Sequence, residues 1–167
     1  MSERAPLHLL LVCTGNTCRS PMAHVIAERT FAKAGWDEAE IRSAGASALS
    51  GSMASEGAIQ AAAEHGLDLE GHRSTPLSEE LVEWADLILT MGVHHLVTVE
   101  ANGGQGKTAM LSAFAEGQEG GEGWGVPDPF AGGLEVYRDS FRILEELVEA
   151  AVARLDRDSN TITGNDS

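Results

Sequence analysis

Leu9-Leu10-Leu11-Val12-Cys13-Thr14-Gly15-Asn16-Thr17-Cys18-Arg19-Ser20-Pro21 is the stretch that decides how this chain is read. The apolar run opening at Leu7 has the form of a buried parallel strand. It ends in a cysteine. Pro21 suits the first turn of a helix, where its missing N–H costs nothing. Strand, tight loop and helix N-terminus therefore bring a thiol and the Arg19 guanidinium into one small volume. Inward-pointing N–H groups and the helix dipole make such a junction an anion site. Gly15 is expected to supply the backbone freedom the turn needs. A Walker A loop is excluded, because the Gly-Lys-Ser/Thr ending is missing.

The same positive field favours a thiolate, which makes Cys13 the candidate nucleophile. Arg19 is the candidate phosphate clamp, its planar fork suited to two oxygens of a tetrahedral anion. Ser20 can donate a hydrogen bond to the sulfur. Asn16 can fix the loop through side-chain bonds to the backbone. Thr14, Gly15, Asn16, Thr17, Cys18 and Ser20 complete the candidate phosphate loop. Far downstream, Val126-Pro127-Asp128-Pro129-Phe130 holds a carboxylate between two prolines. Asp128 is the candidate general acid, and general base toward water in a second step. A Cys-x5-Arg spacing alone arises by chance, and an Asp-Pro turn is commonplace. Their combination at a strand-to-helix junction is not.

Outward from the loop, strands alternate with helices. Helices are expected over 21–34, 55–66, 78–84, 93–102 and 134–155. Strands are expected over 7–12, 41–44, 87–91 and 108–111. Residues 112–127, rich in Gly and Glu, read as a long loop. The pattern predicts an α/β fold, a parallel sheet of about four strands with helices on both faces. Residues 1–6 read as a mobile lead-in, 7–155 as one domain and 156–167 as a disordered tail.

The chain has 167 residues, with 26 Asp+Glu against 11 Lys+Arg, a net charge of −15 that argues against nucleic acid or anionic membrane as partner. A basic protein substrate is attracted by it. No apolar run reaches the ~20 residues of a membrane span, and residues 1–6 lack the form of a signal peptide. The expected location is cytoplasmic. Two cysteines are not a disulfide framework.

The opening string resembles the signature of the low-molecular-weight protein tyrosine phosphatases. The likeness continues in Arg42-Ser43-Ala44-Gly45, Leu67-Asp68-Leu69, His72-Arg73-Ser74, Ala85-Asp86-Leu87-Ile88-Leu89 and Asp128-Pro129-Phe130. It implies a three-layer αβα sandwich with a four-stranded parallel sheet. It also implies a cysteinyl-phosphate mechanism without metal or cofactor, a phosphorylated protein as substrate, and His72 bracing the loop. A monomer is the expected state. For Cys18 two roles stand: a reversible disulfide with Cys13, implied by the family, or packing in a tight loop.

Within that family the loop is most similar to the bacterial protein-arginine phosphatases, which share Cys-Thr-Gly-Asn-Thr-Cys-Arg-Ser. Tyrosine-directed members usually carry an aliphatic residue where this chain has Thr17. A hydroxyl at the pocket edge suits a polar guanidinium; an isoleucine suits an aromatic ring. Thr17, Phe130 and Leu49 are thus the expected specificity residues, with phosphoarginine favoured over phosphotyrosine. Arsenate reductase, of the same fold, needs further cysteines to relay a disulfide, and a catalytically silent phosphate-binding module does not need Cys13, Arg19 and Asp128 together.

Overall fold

The computed structural model describes residues 4–118 and 123–164. Four strands form one parallel sheet in the order β2-β1-β3-β4: β1 Leu7–Cys13, β2 Ala39–Gly45, β3 Leu87–Thr90 and β4 Thr108–Met110. The helices are α1 Arg19–Lys33, α2 Glu56–Ala63, α3 Glu79–Trp84, α4 Val93–Val99, α5 Leu111–Glu116 and α6 Leu134–Gly164, with a π turn at Glu100–Gly104 extending α4. They cover both faces of the sheet, an α/β sandwich as expected.

Alternation along β1 distributes the core. Leu9, Leu11 and Cys13 join Met22, Ile26, Phe31, Phe141 and Leu144 beneath α1 and α6. Leu10 and Val12 face the opposite way, with Val82, Ile88 and Val99 beneath α3 and α4. Both faces of β1 are buried, so its sequence is a continuous apolar run rather than an alternating one. The chain leaves β1 toward β2 on one side, and β3 and β4 lie on the other. The crevice at the carboxyl ends of β1 and β3 is thus a topological switch point, where open α/β sheets bind ligands. The loop after Cys13 opens there.

Four local expectations are corrected. Helix α1 begins at Arg19 rather than Pro21, which sets the guanidinium in the first turn. Residues 111–116, expected as the end of β4 and the start of a long loop, form α5. That helix is too short to show a period. It is held by the Ser112 hydroxyl donating to the Trp124 carbonyl at 2.6 Å and closed by Gly117 in the left-handed region. Residues 119–122 of the expected loop lie outside the described residues.

The lead-in is docked from Arg4 onward. Arg4 pairs with Asp156 at 2.6 Å, and the Ala5 carbonyl accepts from Trp36 Nε1 at 3.1 Å. The other end of that ion pair lies past residue 155, and α6 continues helical to Gly164 where a disordered tail was expected. Residues 1–3 and 165–167 lie outside the described residues. Among the described residues no helix is long and apolar enough to cross a membrane.

Candidate active site

The loop between β1 and α1 turns its carbonyls outward. Those of Cys13, Thr14 and Thr17 accept from the backbone N–H groups of Ala46, Ser47 and Ser55 at 2.8, 2.9 and 2.9 Å. That of Asn16 accepts from His72 Nε2 at 2.7 Å. In a trans peptide the C=O and the following N–H point in opposite directions. The amides of Thr14, Gly15, Thr17 and Cys18 therefore face the inner side of the loop, a nest for an anion.

The left-handed backbone that the turn requires falls on Asn16, with φ 55°, and not on Gly15. Asparagine tolerates that region better than most side chains, and its amide is fully used. Asn16 is completely buried. Its Nδ2 donates to Ser20 Oγ at 2.7 Å and to Ser43 Oγ at 3.0 Å. Its Oδ1 accepts from the Thr75 N–H at 2.9 Å. Gly45, paired with Cys13 across β1 and β2, lets the loop lie close. A Cβ there would stand 2.5 Å from the Thr14 carbonyl and 2.9 Å from the Asn16 nitrogen.

Cys13 Sγ lies 2.9 Å from Ser20 Oγ. With a thiolate at Cys13, Ser20 is the donor, while Asn16 occupies an acceptor site of the same hydroxyl. Arg19 is buried. Its Nη1 donates to the Val126 carbonyl at 3.0 Å, its Nη2 to Thr14 Oγ1 at 3.4 Å, and Nη2 lies 3.5 Å from Asp128 Oδ2. Its Nε is buried without a hydrogen-bond partner among the described residues. An orphaned guanidinium donor in a buried position is costly unless a ligand completes it, and an oxyanion is the group that does so.

These side chains surround a cavity of about 250 Å³ lined by Cys13, Thr14, Gly15, Thr17, Cys18 and Arg19, together with Asp128 and Phe130. Asp128 is half-exposed, and its Oδ1 accepts from the Phe130 N–H at 3.1 Å. Phe130 is 71% exposed at the mouth. Leu49, expected as a specificity residue, is absent from the lining and 78% exposed. Its loop is pinned through the backbone, with the Leu49 carbonyl accepting from the Ser74 hydroxyl, so the side chain is left in solvent. Both cysteines are free thiols. Cys18 Sγ lies 3.3 Å from Ser55 Oγ and 3.5 Å from Tyr137 Oη.

The family model for low molecular weight phosphotyrosine protein phosphatases matches residues 8–161. This chain belongs to that family. It is 36% identical over 152 residues to a protein-arginine-phosphatase of Geobacillus stearothermophilus, an alignment covering 90% of this chain and 97% of that protein. It is 34% identical over 151 residues to the low molecular weight protein-tyrosine-phosphatase Etp of Escherichia coli strain K12, covering 89% and 95%. A solved structure of a cysteine-to-serine mutant of the YwlE arginine phosphatase, with a phosphorylated active-site serine, superposes with a TM-score of 0.84 at 34% identity, covering 92% of this chain and 99% of that one.

Some contributors to this phosphatase-family site were not singled out from the sequence. Ser43 and Gly45 stood in the strand-two string without a role. Thr75 acts through its backbone, which no side-chain pattern reveals. His95 is buried, accepts from the Gly92 N–H through Nδ1 at 3.0 Å and lies 2.8 Å from Thr14 Oγ1 through Nε2. Its only sequence signal is its place three residues after Gly92, the position from which a side chain reaches back to the helix cap. Burial first, then the Arg19 charge, pushes the His95 imidazole down to about 4. His72 is also shifted down, chiefly by burial, against the opposing effect of its bond to Asn16.

Proposed function

We propose that this chain is a cysteine-dependent protein phosphatase whose substrates are proteins phosphorylated on arginine. The observation that carries the chemistry is a thiol and a buried guanidinium, its Nε without a partner among the described residues, around one cavity, with a carboxylate beside the guanidinium. Cys13 Sγ attacks phosphorus in line. The bond from phosphorus to the guanidino nitrogen breaks as that nitrogen takes a proton from the Asp128 carboxyl. Arg19 and the inward amides hold the equatorial oxygens, where charge builds. In the second step water attacks the phosphorus of the thiophosphoryl enzyme and gives its proton to the Asp128 carboxylate. The S–P bond breaks, and Ser20 stabilises the departing thiolate. His72 braces the loop through Asn16.

Thr17 supports the arginine assignment. Its side chain stands in the cavity wall, where a hydroxyl suits a guanidinium better than a phenyl ring. Leu49 adds no apolar wall. The net charge of −15 attracts basic substrates. Phosphotyrosine is the second reading, favoured by the exposed Phe130 ring, which can stack on a phenyl group as well as on a guanidinium. Hydrolysis of matched phosphoarginine and phosphotyrosine peptides by wild type and Thr17→Ile tests both. Wild type is expected to prefer phosphoarginine, and the substitution to move kcat/KM toward phosphotyrosine. A wild-type preference for phosphotyrosine that Thr17→Ile leaves unchanged sinks the arginine assignment. Cleavage of neither peptide sinks the phosphatase.

A further inference from the structure

Thr14 stands in the cavity wall next to the nucleophile, and its hydroxyl oxygen is approached by two nitrogens. His95 Nε2 is 2.8 Å away, and Arg19 Nη2 is 3.4 Å away. The state of His95 is fixed by its other nitrogen. Nδ1 accepts from the Gly92 N–H at 3.0 Å, so Nδ1 is bare and the neutral ring carries its proton on Nε2. Nε2 therefore donates to Thr14. A guanidinium has no acceptor, so Arg19 donates as well. Both acceptor sites of the Thr14 oxygen are then occupied, and its own proton must leave in a third direction.

The residue is exposed, and its open side is the cavity. Asp128 lies against the same Arg19 nitrogen, so Thr14 sits on the side of the cavity where the leaving group departs and water arrives.

On the phosphatase reading above, we infer that the Thr14 hydroxyl is a dedicated hydrogen-bond donor to an oxygen of the bound phosphoryl group, locked into that role by His95 behind it. Thr14 touches substrate; His95 is a positioning residue that acts through it. The pairing gives the loop a side-chain donor in addition to its amides and Arg19. It also ties the start of α4, and hence the β3 side of the sheet, to the phosphate site.

Inorganic phosphate is the probe, read as a competitive inhibitor and by titration calorimetry, beside kcat/KM on the preferred phosphopeptide. Thr14→Val removes the hydroxyl and keeps the shape; Thr14→Ser keeps the hydroxyl. A hydrogen bond to a charged group sets the scale, so Thr14→Val is expected to weaken phosphate and lower kcat/KM by roughly tenfold. Thr14→Ser should stay within about threefold of wild type.

His95→Asn keeps an acceptor for the Gly92 N–H but is too short to reach Thr14. His95→Gln carries a donor and an acceptor at nearly the imidazole spacing. His95→Asn should weaken phosphate several-fold in the wild-type background and scarcely at all beside Thr14→Val, and His95→Gln should recover most of the loss.

Equal phosphate binding by Thr14→Val and wild type overturns the inference while leaving the phosphatase intact. So does full additivity of Thr14→Val and His95→Asn, because His95 would then act only through the helix cap. A wild type that neither binds phosphate nor hydrolyses phosphopeptides removes the phosphatase reading, and this role with it.

Discussion

Two non-glycine residues among those described hold a left-handed backbone, Asn16 at φ 55° and Ala131 at φ 66°. They belong to the two loops that meet over the cavity. Asn16 is completely buried, its amide bonded to Ser20, Ser43 and Thr75 and its carbonyl to His72. Ala131 follows the exposed Phe130 in a turn closed by the Gly132 N–H on the Pro129 carbonyl at 2.8 Å. A positive φ in the third position of such a turn ordinarily calls for glycine. The same backbone cost is met by a buried side-chain network in one loop and, in the other, by that closing bond and the Phe130 N–H on Asp128 at the surface. The loop around Asn16 is over-determined by buried bonds, whereas the loop around Ala131, at the surface, is more lightly held. Groups that bind charge must be fixed beforehand; a group that serves a leaving residue on a protein surface must admit it first.

The sharpest way to break that contrast is to remove each constraint. Asn16→Ala leaves Ser43, Ser20 and the Thr75 N–H without a shared partner and puts alanine at a positive φ. The expected loss is about 3–5 kcal/mol of unfolding free energy, with activity falling alongside it. Ala131→Gly relieves a strain of roughly 1 kcal/mol and adds a similar entropy to the unfolded chain, so its net effect is about zero. Urea unfolding of both reads the difference. Equal losses, or an Asn16→Ala protein within about 1 kcal/mol of wild type, would mean the two loops are held alike.

Asp128→Asn separates chemistry from stability in the lightly held loop. On the proposed mechanism it removes the proton donor and keeps the shape, including an oxygen for the Phe130 N–H. Positioned acid–base groups typically contribute 10²–10⁴-fold, so the first step should slow by about a hundredfold, near 3 kcal/mol of barrier. The unfolding free energy should change by less than about 0.5 kcal/mol. The loss should be greatest for substrates whose leaving groups most need a proton, read by single-turnover kinetics on substrates of graded basicity. A uniform small loss would assign the proton to another group.

The same contrast explains what the sequence made legible. The strands of the sheet, the long stripe of α6 and the Cys13–Arg19 motif were readable because buried faces and a contiguous loop leave local patterns. Asp128, which the structure places in the cavity lining, stood out because its prolines stand beside it. The fastening of the phosphate loop was not. Ser43, Gly45, Thr75 and His95 come from three other segments, and their roles depend on register and backbone bonds that no spacing encodes. Gly15 misled for a related reason: glycine permits a positive φ but does not demand one, and the bonds of Asn16 decided where it fell. Leu49 misled because a bulky residue in the right loop says nothing about which way it points.

The smallest expected effect comes from pH, and it also falls on one loop. His72 and His95 both bond directly to the phosphate loop, one to the Asn16 carbonyl and one to Thr14. Both have folded pKa values below the ordinary histidine value of 6.5, and that of His95 is about 4. Between those limits the unfolded chain binds more protons than the folded one, so stability rises with pH there. Their contribution is complete above about pH 6.5 and is lost as pH falls toward the folded values. The expected decline in unfolding free energy from pH 7 to pH 4.5 is on the order of 2 kcal/mol, most of it from His95.

Among the described residues no histidine bonds to residues 129–132, so protonation of His72 and His95 should loosen the loop after Cys13 first. Hydrogen-exchange protection, taken relative to the intrinsic rate at each pH, should fall at residues 14–18 on going to pH 5 while that at residues 130–132 stays as it was. His95→Gln should flatten the pH dependence of the urea midpoint over that window. A slope that survives the substitution would place the sensitivity elsewhere. A slope that vanishes would show that one buried imidazole behind the cavity wall sets the acid limit of the phosphate loop.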